Sequence, residues 1–411
     1  MKKTLTLLAA LAGTWVALRA QDCTGGRYYT EIFTQLDSSF NVTYGTAPNS
    51  QSLEFDMWAP AASVDTETDR PVIILAHGGS FIAGSKEDAT VRMLCRHYAR
   101  MGYVALSMEY RLLSIVDIGT SPNLEATFMN HVYKAVHDQM ALIRFLRRSV
   151  AENGDPYKIN PDLIIVGGIS AGSILSMHTA YMDSPAKLPA AIDQNGDGGF
   201  YGASGNPGFS SVPQAVINYC GALKDTLLLE TGDQPFVSVH GTADAVVPYG
   251  TDFAEPFPGT PITQISGSGD LHIRALNVNV ENPLLTYPGR GHCEFWTTPQ
   301  QSDSTRQIVD DFLEEQLCVK HLYEAVNPGE LFVTLYPNPS NGMLYLDLPD
   351  NKNGMELSIV NALGAMVCSK NIPAGQYTLQ LNETNAFAAG IYWLTVSGNG
   401  KSTTKKLIVQ H

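Results

Sequence analysis

The stretch 166-VGGISAGS-173 sets Ser170 in a G-x-S-x-G frame, between an apolar run at residues 163–166 and a helix-like segment that starts at Ala171. Strand, sharp turn, helix is the arrangement that lifts a serine hydroxyl clear of a sheet. Gly168 and Gly172 remove the side chains that would clash at such a turn. The motif alone is a weak signal, since average Gly and Ser usage produces it by chance in roughly one chain in several of this length. Its neighbours therefore decide the reading.

Upstream, LEFDMWAP (53–60) alternates like a strand and stops at a proline. PVIILAHGGSF follows. Its apolar run at 72–76 is the continuous kind expected of a strand buried on both faces, and it empties into a Gly-Gly turn. Residues 88–100 carry Val91, Leu94, Cys95 and Tyr98 at helical spacing, end at Met101-Gly102 and hand over to the apolar strand YVALSMEYR. Strand, helix, strand is a parallel crossover. The longest helix is expected at 130–152, with Val132, Val136, Met140, Ile143 and Leu146 on one face. Downstream of Ser170 come a helix to Tyr181, strands AVINYCG (215–221), PFVSVHG (235–241) and NPLLTYPG (282–289), and a helix at 303–318. This alternation predicts an α/β fold, a mostly parallel sheet flanked by helices, with functional groups collected at the carboxyl edge of the sheet. From about residue 332 the chain changes to short alternating segments (GMLYLDLP, ELSIVNA, QYTLQLN, GIYWLTVS, TKKLIVQ) separated by Gly, Asn and Pro, which predicts a small all-β sandwich.

At 411 residues, two domains are the default expectation. A composition 44% hydrophobic and 16% charged is that of a soluble globular protein. The net charge of −14 argues against nucleic acid and anionic membranes as partners, because either would repel it. Residues 1–20, MKKTLTLLAALAGTWVALRA, have the basic start, short apolar run and terminal Ala of a secretory signal peptide. The run is too short for a transmembrane anchor, and nothing similar recurs, so no transmembrane segment is expected in the mature chain. The expected organisation is a signal peptide at 1–20, a catalytic domain at 21–322, a linker at 323–331 and a β-sandwich at 332–411. All six cysteines lie beyond the cut, in a chain bound for an oxidising compartment. Sequence does not choose among their pairings. A Cys293–Cys318 bridge is doubtful, because the intervening helix-like run would carry Cys318 about 20 Å from the top of the sheet. Free buried thiols stay as open a reading as bridges.

Acyl transfer needs a nucleophile, a base held in the right tautomer, and donors aimed at the developing oxyanion. Each has a candidate at a strand end. Ser170 is the nucleophile; His292, in YPGRGHCEF, can take its proton through Nε2; Asp244, in VSVHGTADAVVP, can accept the Nδ1 proton of that imidazole. The backbone N–H groups of Gly79 and Ser80, in the HGGS turn, would join that of Ala171 in an oxyanion hole. Asp225 and Asp233 rival Asp244, and His240 and His272 rival His292. His240 reads as a strand-end histidine bonding locally, His77 as a brace for the glycine turn, and Glu109, Tyr110 and Arg111 as a structural knot. Phe81 is a candidate substrate contact. The Gly-rich stretch 193–208 interrupts the alternation. Its start imitates a calcium loop (Asp193, Asn195, Asp197, Gly198), but Ser204 stands where a bidentate Glu is required. It reads better as a rim of the pocket offering Phe200 and Tyr201, and Trp296 either walls the site or packs in the core.

These residues together resemble the α/β-hydrolase superfamily, in its carboxylesterase and lipase branch with an H-G-G oxyanion turn: HGGSF, GISAG, HGTADAVVP and GRGHCEF span residues 50–318. The resemblance implies an eight-stranded, mostly parallel sheet and ester hydrolysis through an acyl-enzyme, with no metal and no cofactor. The ester could be a small molecule, a polysaccharide ester or a polyester. Here HGGS stands in place of the HGGG of some relatives. The alternatives are a prolyl-oligopeptidase-like serine peptidase and a catalytically silent hydrolase fold used for binding. The tail, LYPNPSNGMLYLDLP, LSIVNALGAMV and AAGIYWLTVSGNGKSTTKKLIVQ, resembles the type A sorting domain of type IX secretion. That implies outer-membrane secretion machinery as a partner and a secreted or cell-surface location.

Overall fold

The computed structural model describes residues 23–188, 197–319 and, within 331–409, all but 332, 337–339, 341–343, 349, 350, 352, 362, 375, 377, 382–385 and 399. The expected signal peptide and all of the expected linker but Leu331 lie outside the described residues. The chain divides into two compact units, one of Cys23–Gln316 and one that holds Leu317–His411.

The first unit is built on an eight-stranded sheet in the order β1-β2-β4-β3-β5-β6-β8-β11. Its members are β1 (Leu36–Thr46), β2 (Ser52–Pro60), β3 (Arg70–Ala76), β4 (Val104–Met108), β5 (Ile159–Ile169), β6 (Ala215–Tyr219), β8 (Phe236–Gly241) and β11 (Leu284–Tyr287). Every pairing from β4 to β11 is parallel, while β1 and β2 run antiparallel at one edge. A small separate sheet holds β7 (Ala222–Leu223), β9 (Thr251–Phe253) and β10 (Gln264–Gly267). The helices are α1 (Ala89–Met101), α2 (Ile115–Thr120), α3 (Leu124–Asn153), α4 (Ala171–Tyr181), α5 (Ser268–Val278) and α6 (Pro299–Glu314).

β3 shows why its sequence does not alternate: every residue in it is buried. Val72, Ile74 and Ala76 join one core with side chains of α3, α4 and α5. Ile73 and Leu75 point to the opposite face, where α1 packs. β1 went unread because it is an edge strand whose exposed side chains carry no apolar period. α3 is longer than the expected 130–152. Asn123 caps its start by accepting from the Ala126 N–H, and Gly154, in the left-handed region, closes it. α5 was not read from the sequence, and it supplies the crossover that parallel β8 and β11 require.

The second unit is a sandwich of two antiparallel sheets. One holds β12 (Thr334–Tyr336), β13 (Leu344–Asp347) and β16 (Thr378–Leu381). The other holds β15 (Met366–Ile372), β14 (Met355–Asn361), β17 (Gly390–Gly398) and β18 (Lys401–Val409). Alternate residues of both sheets, Leu344 and Leu346 from one and Leu357, Ile359, Leu394 and Val396 from the other, share one core.

Candidate active site

Four parallel strands end within one region, and the chain leaving each carries a candidate group. β5 runs directly into Ser170, whose backbone stands at φ 56° and ψ −117°, and α4 starts at the next residue. Such a turn requires backbones to pass closely. A Cβ on Gly172 would lie 2.1 Å from the Ala76 carbonyl oxygen, and one on Gly168 would lie 2.5 Å from the same atom. β3 leads into the HGGS turn, which lies against the elbow: a Cβ on Gly78 would lie 3.4 Å from Ser170 Cβ. β8 leads to Asp244 and β11 to His292.

The three side chains form one hydrogen-bonded chain. His292 Nε2 is 2.8 Å from Ser170 Oγ, and His292 Nδ1 is 2.7 Å from Asp244 Oδ2. The carboxylate is fully buried and the imidazole about one quarter exposed, at 24%. Asp244 Oδ1 accepts the N–H groups of Val246 and Val247, both at 2.9 Å. Burial alone would raise the Asp244 carboxyl, but the donors from His240, His292 and the Val247 backbone outweigh it and hold it well below the usual carboxylate range. The turn that carries Gly79 and Ser80 is braced from below. The Tyr110 hydroxyl donates to the His77 carbonyl at 2.8 Å, the His77 ring stacks on Tyr110, and His77 Nδ1 donates to the Gly78 carbonyl at 2.7 Å.

A cysteine follows the histidine at once. Cys293 is bonded to Cys220, the residue after β6, and its sulfur lies 3.6 Å from His292 Nε2. The disulfide ties the loop that carries His292 to the end of β6, two strands along the sheet from β11. Cys95 is a buried free thiol. Among the described residues, the grouping with metal-ligand spacing is Cys220, His292 and Cys293, and its two sulfurs are bonded to each other.

An apolar cavity of about 70 Å³ opens at Ser170. Ser80, Phe81 and Ala171 border it, while Phe128, Met129 and Val132 from α3 and Val246, Val247 and Ile265 form walls. Phe200, Tyr201 and Trp296 are not brought to this cavity. The described part of the Gly-rich stretch is held elsewhere by a buried ion network. Arg111 Nη1 pairs with Asp197 at 2.7 Å, Arg111 pairs with Asp138 at 2.9 Å, and Ser204 Oγ donates to Asp138 at 2.7 Å. Tyr133 and His137 of α3 bond the Phe200 carbonyl, which leaves Tyr201 65% exposed. Asp193 and Asn195 lie outside the described residues, and the Asp197 carboxylate is taken by Arg111 and His137. Trp296 packs on Tyr219 and Phe295, each with ring centroids 5.4 Å away.

The rival residues have other partners. Asp225 caps a 3-10 turn through the Leu227 N–H, and Asp233 accepts from the Glu230 N–H, with burial pushing its carboxyl up to about 6. His272 sits on α5 and bonds Asn282. Reading by strand ends missed the walls from α3: Phe128 and Met129 precede the expected start of the helix at residue 130, and Val132 was read only as part of its apolar face. It also passed over Val246 and Val247, which stand beside Asp244 in the quoted motif.

The BD-FAE family, an esterase-like α/β-hydrolase domain, matches residues 55–222. The unit Cys23–Gln316 has the expected fold class, a mostly parallel sheet flanked by helices of the α/β-hydrolase type. A secretion system C-terminal sorting domain matches residues 334–410. The chain is similar in structure to Thermogutta terrifontis esterase 2 phosphorylated by paraoxon, at 21% identity and a TM-score of 0.47 over 69% of this chain and 95% of that one. The butyrate-bound form of the same esterase is similar at 20% identity and a TM-score of 0.47, over 68% and 94%. No curated protein matches the chain. Among the described residues no helix is long and apolar enough to cross a membrane.

Proposed function

We propose that this protein is an exported serine hydrolase of carboxylic esters that works through an acyl-enzyme on Ser170. The observation that carries the reading is the unbroken chain Ser170 Oγ, His292 Nε2, His292 Nδ1, Asp244 Oδ2, with both contacts under 3 Å. Ser170 Oγ attacks the ester carbonyl carbon as His292 Nε2 takes the hydroxyl proton. The carbonyl oxygen becomes an oxyanion facing the N–H groups of Gly79, Ser80 and Ala171. Collapse breaks the bond to the alcohol oxygen, which leaves with the proton from His292, and the acyl group stays on Ser170. Water then repeats the sequence with His292 as base, releasing the acid. Asp244 holds the Nδ1–H tautomer and stabilises the imidazolium formed in each half. The apolar cavity beside Ser170 suits an uncharged acyl group. The sorting domain, together with the leader read at residues 1–20, supports export by type IX secretion to the surface or beyond.

Ser170→Ala is expected to lower turnover of p-nitrophenyl acetate by roughly 10⁴-fold or more while leaving the melting curve unchanged. A fluorophosphonate probe should label Ser170 in the parent protein and nothing in the variant. Retained turnover in the variant refutes the assignment, and a parent that hydrolyses no ester and takes no label points to a silent binding fold instead.

A further inference from the structure

The strand that leads to Asp244 carries, one residue before its end, a second histidine that the acyl-transfer scheme leaves unused. His240, fully buried in β8, places Nε2 3.2 Å from Asp244 Oδ2 and 3.0 Å from the Val247 carbonyl oxygen. A carboxylate and a carbonyl can only accept, so the proton resides on Nε2. Across the ring, Nδ1 is 2.8 Å from Oγ of Ser268, the first residue of α5. Ser268 Oγ receives the Asn218 amide N–H at 3.1 Å, which leaves its own proton to donate to Nδ1. The carbonyl end of Asn218 accepts from Ser173 Oγ at 2.6 Å and from the Gly221 N–H at 3.0 Å. Its amide also donates to Ser238 Oγ at 3.0 Å.

Each of these contacts pairs one donor with one acceptor, and the tautomer of His240 follows from the rest. Ser173, Asn218, Ser238, His240 and Ser268 are all fully buried. In such surroundings a satisfied network is rigid and an unpaired member is costly. The network starts on α4, three residues beyond Ser170, and ends on the carboxylate that holds His292. The Ser173 N–H donates to the Ser170 carbonyl at 2.9 Å, so the network runs from the residue of the nucleophile to that carboxylate.

We infer that His240 is a positioning residue for ester hydrolysis, donating Nε2–H to Asp244 Oδ2 so that this oxygen stays aimed at His292, with Ser268 and Asn218 fixing the donor tautomer. Oδ1 is already held by two backbone N–H groups, and His240 supplies the remaining restraint on Oδ2 besides His292 itself. The inference rests on the Ser170, His292 and Asp244 reading proposed above.

The test uses the full chain and p-nitrophenyl acetate, with His240→Phe, His240→Gln, Ser268→Ala and Ser170→Ala as variants. His240→Phe should lower kcat by about 10- to 100-fold with KM within about twofold, because only the aim of the imidazole is lost. His240→Gln, whose amide N–H can reach the same oxygen, should restore kcat to within about fivefold of the parent. The downfield proton resonance of the His292–Asp244 hydrogen bond should be lost in the Phe variant and kept in the Gln variant. Ser268→Ala should lower kcat to an intermediate level, and it decides the matter alone if His240→Phe does not fold. Equal kcat in the Phe and Gln variants, a loss carried by KM, or parent kcat in Ser268→Ala overturns the inference. Turnover that survives Ser170→Ala defeats the underlying hydrolase reading instead.

Discussion

Asp244 shows how single residues divide between what a motif can name and what packing adds. Its place after a strand end marked it as the acid partner of a histidine, and the structure surrounds it with four donors: two backbone N–H groups, His292 and His240. With its folded-state pKa depressed, its contribution to stability is present above the unfolded carboxyl value and is lost only as pH falls through the lower folded one. Asp244→Asn would offer an amide N–H where an acceptor is needed and turn His292 to the wrong tautomer, so kcat on p-nitrophenyl acetate should fall by about 10⁴-fold with the fold retained. Steady-state kinetics beside a thermal melt checks both halves of that expectation. Gly172 is a purely steric counterpart. Because a Cβ there would meet the Ala76 carbonyl oxygen at 2.1 Å, Gly172→Ala should destabilise the protein by roughly 3 kcal/mol or more, read by urea denaturation. Ser170, Asp244 and His292 were legible because each lies within a few residues of a strand end. Phe128, Met129, Val132 and Ile265 were not, since a cavity wall is defined by which distant side chains meet there.

At the scale of elements, two buried histidines on helices make stability depend on pH. His178 of α4 donates from Nδ1 to the Ile174 carbonyl at 2.8 Å and accepts the Lys224 N–H at Nε2, so a proton added to Nε2 would displace a hydrogen bond. His131 of α3 bonds the Arg111 carbonyl through Nε2 at 2.9 Å. Burial pushes both imidazoles down to about 4. The unfolded chain then binds more protons than the folded one between the ordinary value of 6.5 and about 4, so stability drops as pH falls through that window and levels off below it. The loss is on the order of 3 kcal/mol for each group. Melting temperatures from pH 7.5 down to 4 measure it, and His178→Gln should flatten the slope. The Cys220–Cys293 bridge joins two loops 73 residues apart in sequence. By loop entropy its removal should cost about 4 kcal/mol. The double variant Cys220→Ser/Cys293→Ser should also lose kcat, because the loop that carries His292 is no longer tied to β6; equal kcat in the two forms would show that the bridge serves stability alone. Helical period found α1, and the strand-turn-helix frame around Ser170 found α4, nearly to the residue. It did not find α5, whose segment SGDLHIRALNV has Gly269 and Asp270 in its first turn and exposes Ile273 and Leu276.

For the whole molecule, the unit Cys23–Gln316 has its own sheet, core and candidate active site, and the sandwich has a core of its own. A chain ending after Val319 should therefore hydrolyse p-nitrophenyl acetate with the kcat of the full chain, whereas export from cells should fail without the sandwich. Activity in purified protein and in culture medium separates the two outcomes. By itself the sequence determined the α/β alternation, the switch to short β segments near residue 332 and the strand ends where the candidate groups stand, because period and turn chemistry are local properties of the chain. Only the tertiary structure decided that Cys220 pairs with Cys293, that Phe200, Tyr201 and Trp296 pack away from the Ser170 cavity, that Asp197 answers Arg111, and that a second imidazole supports Asp244. Each of those outcomes depends on which buried polar or apolar groups meet across dozens to more than a hundred residues of chain. In a close-packed interior that choice is made jointly by all the neighbours, and no short stretch of sequence contains it.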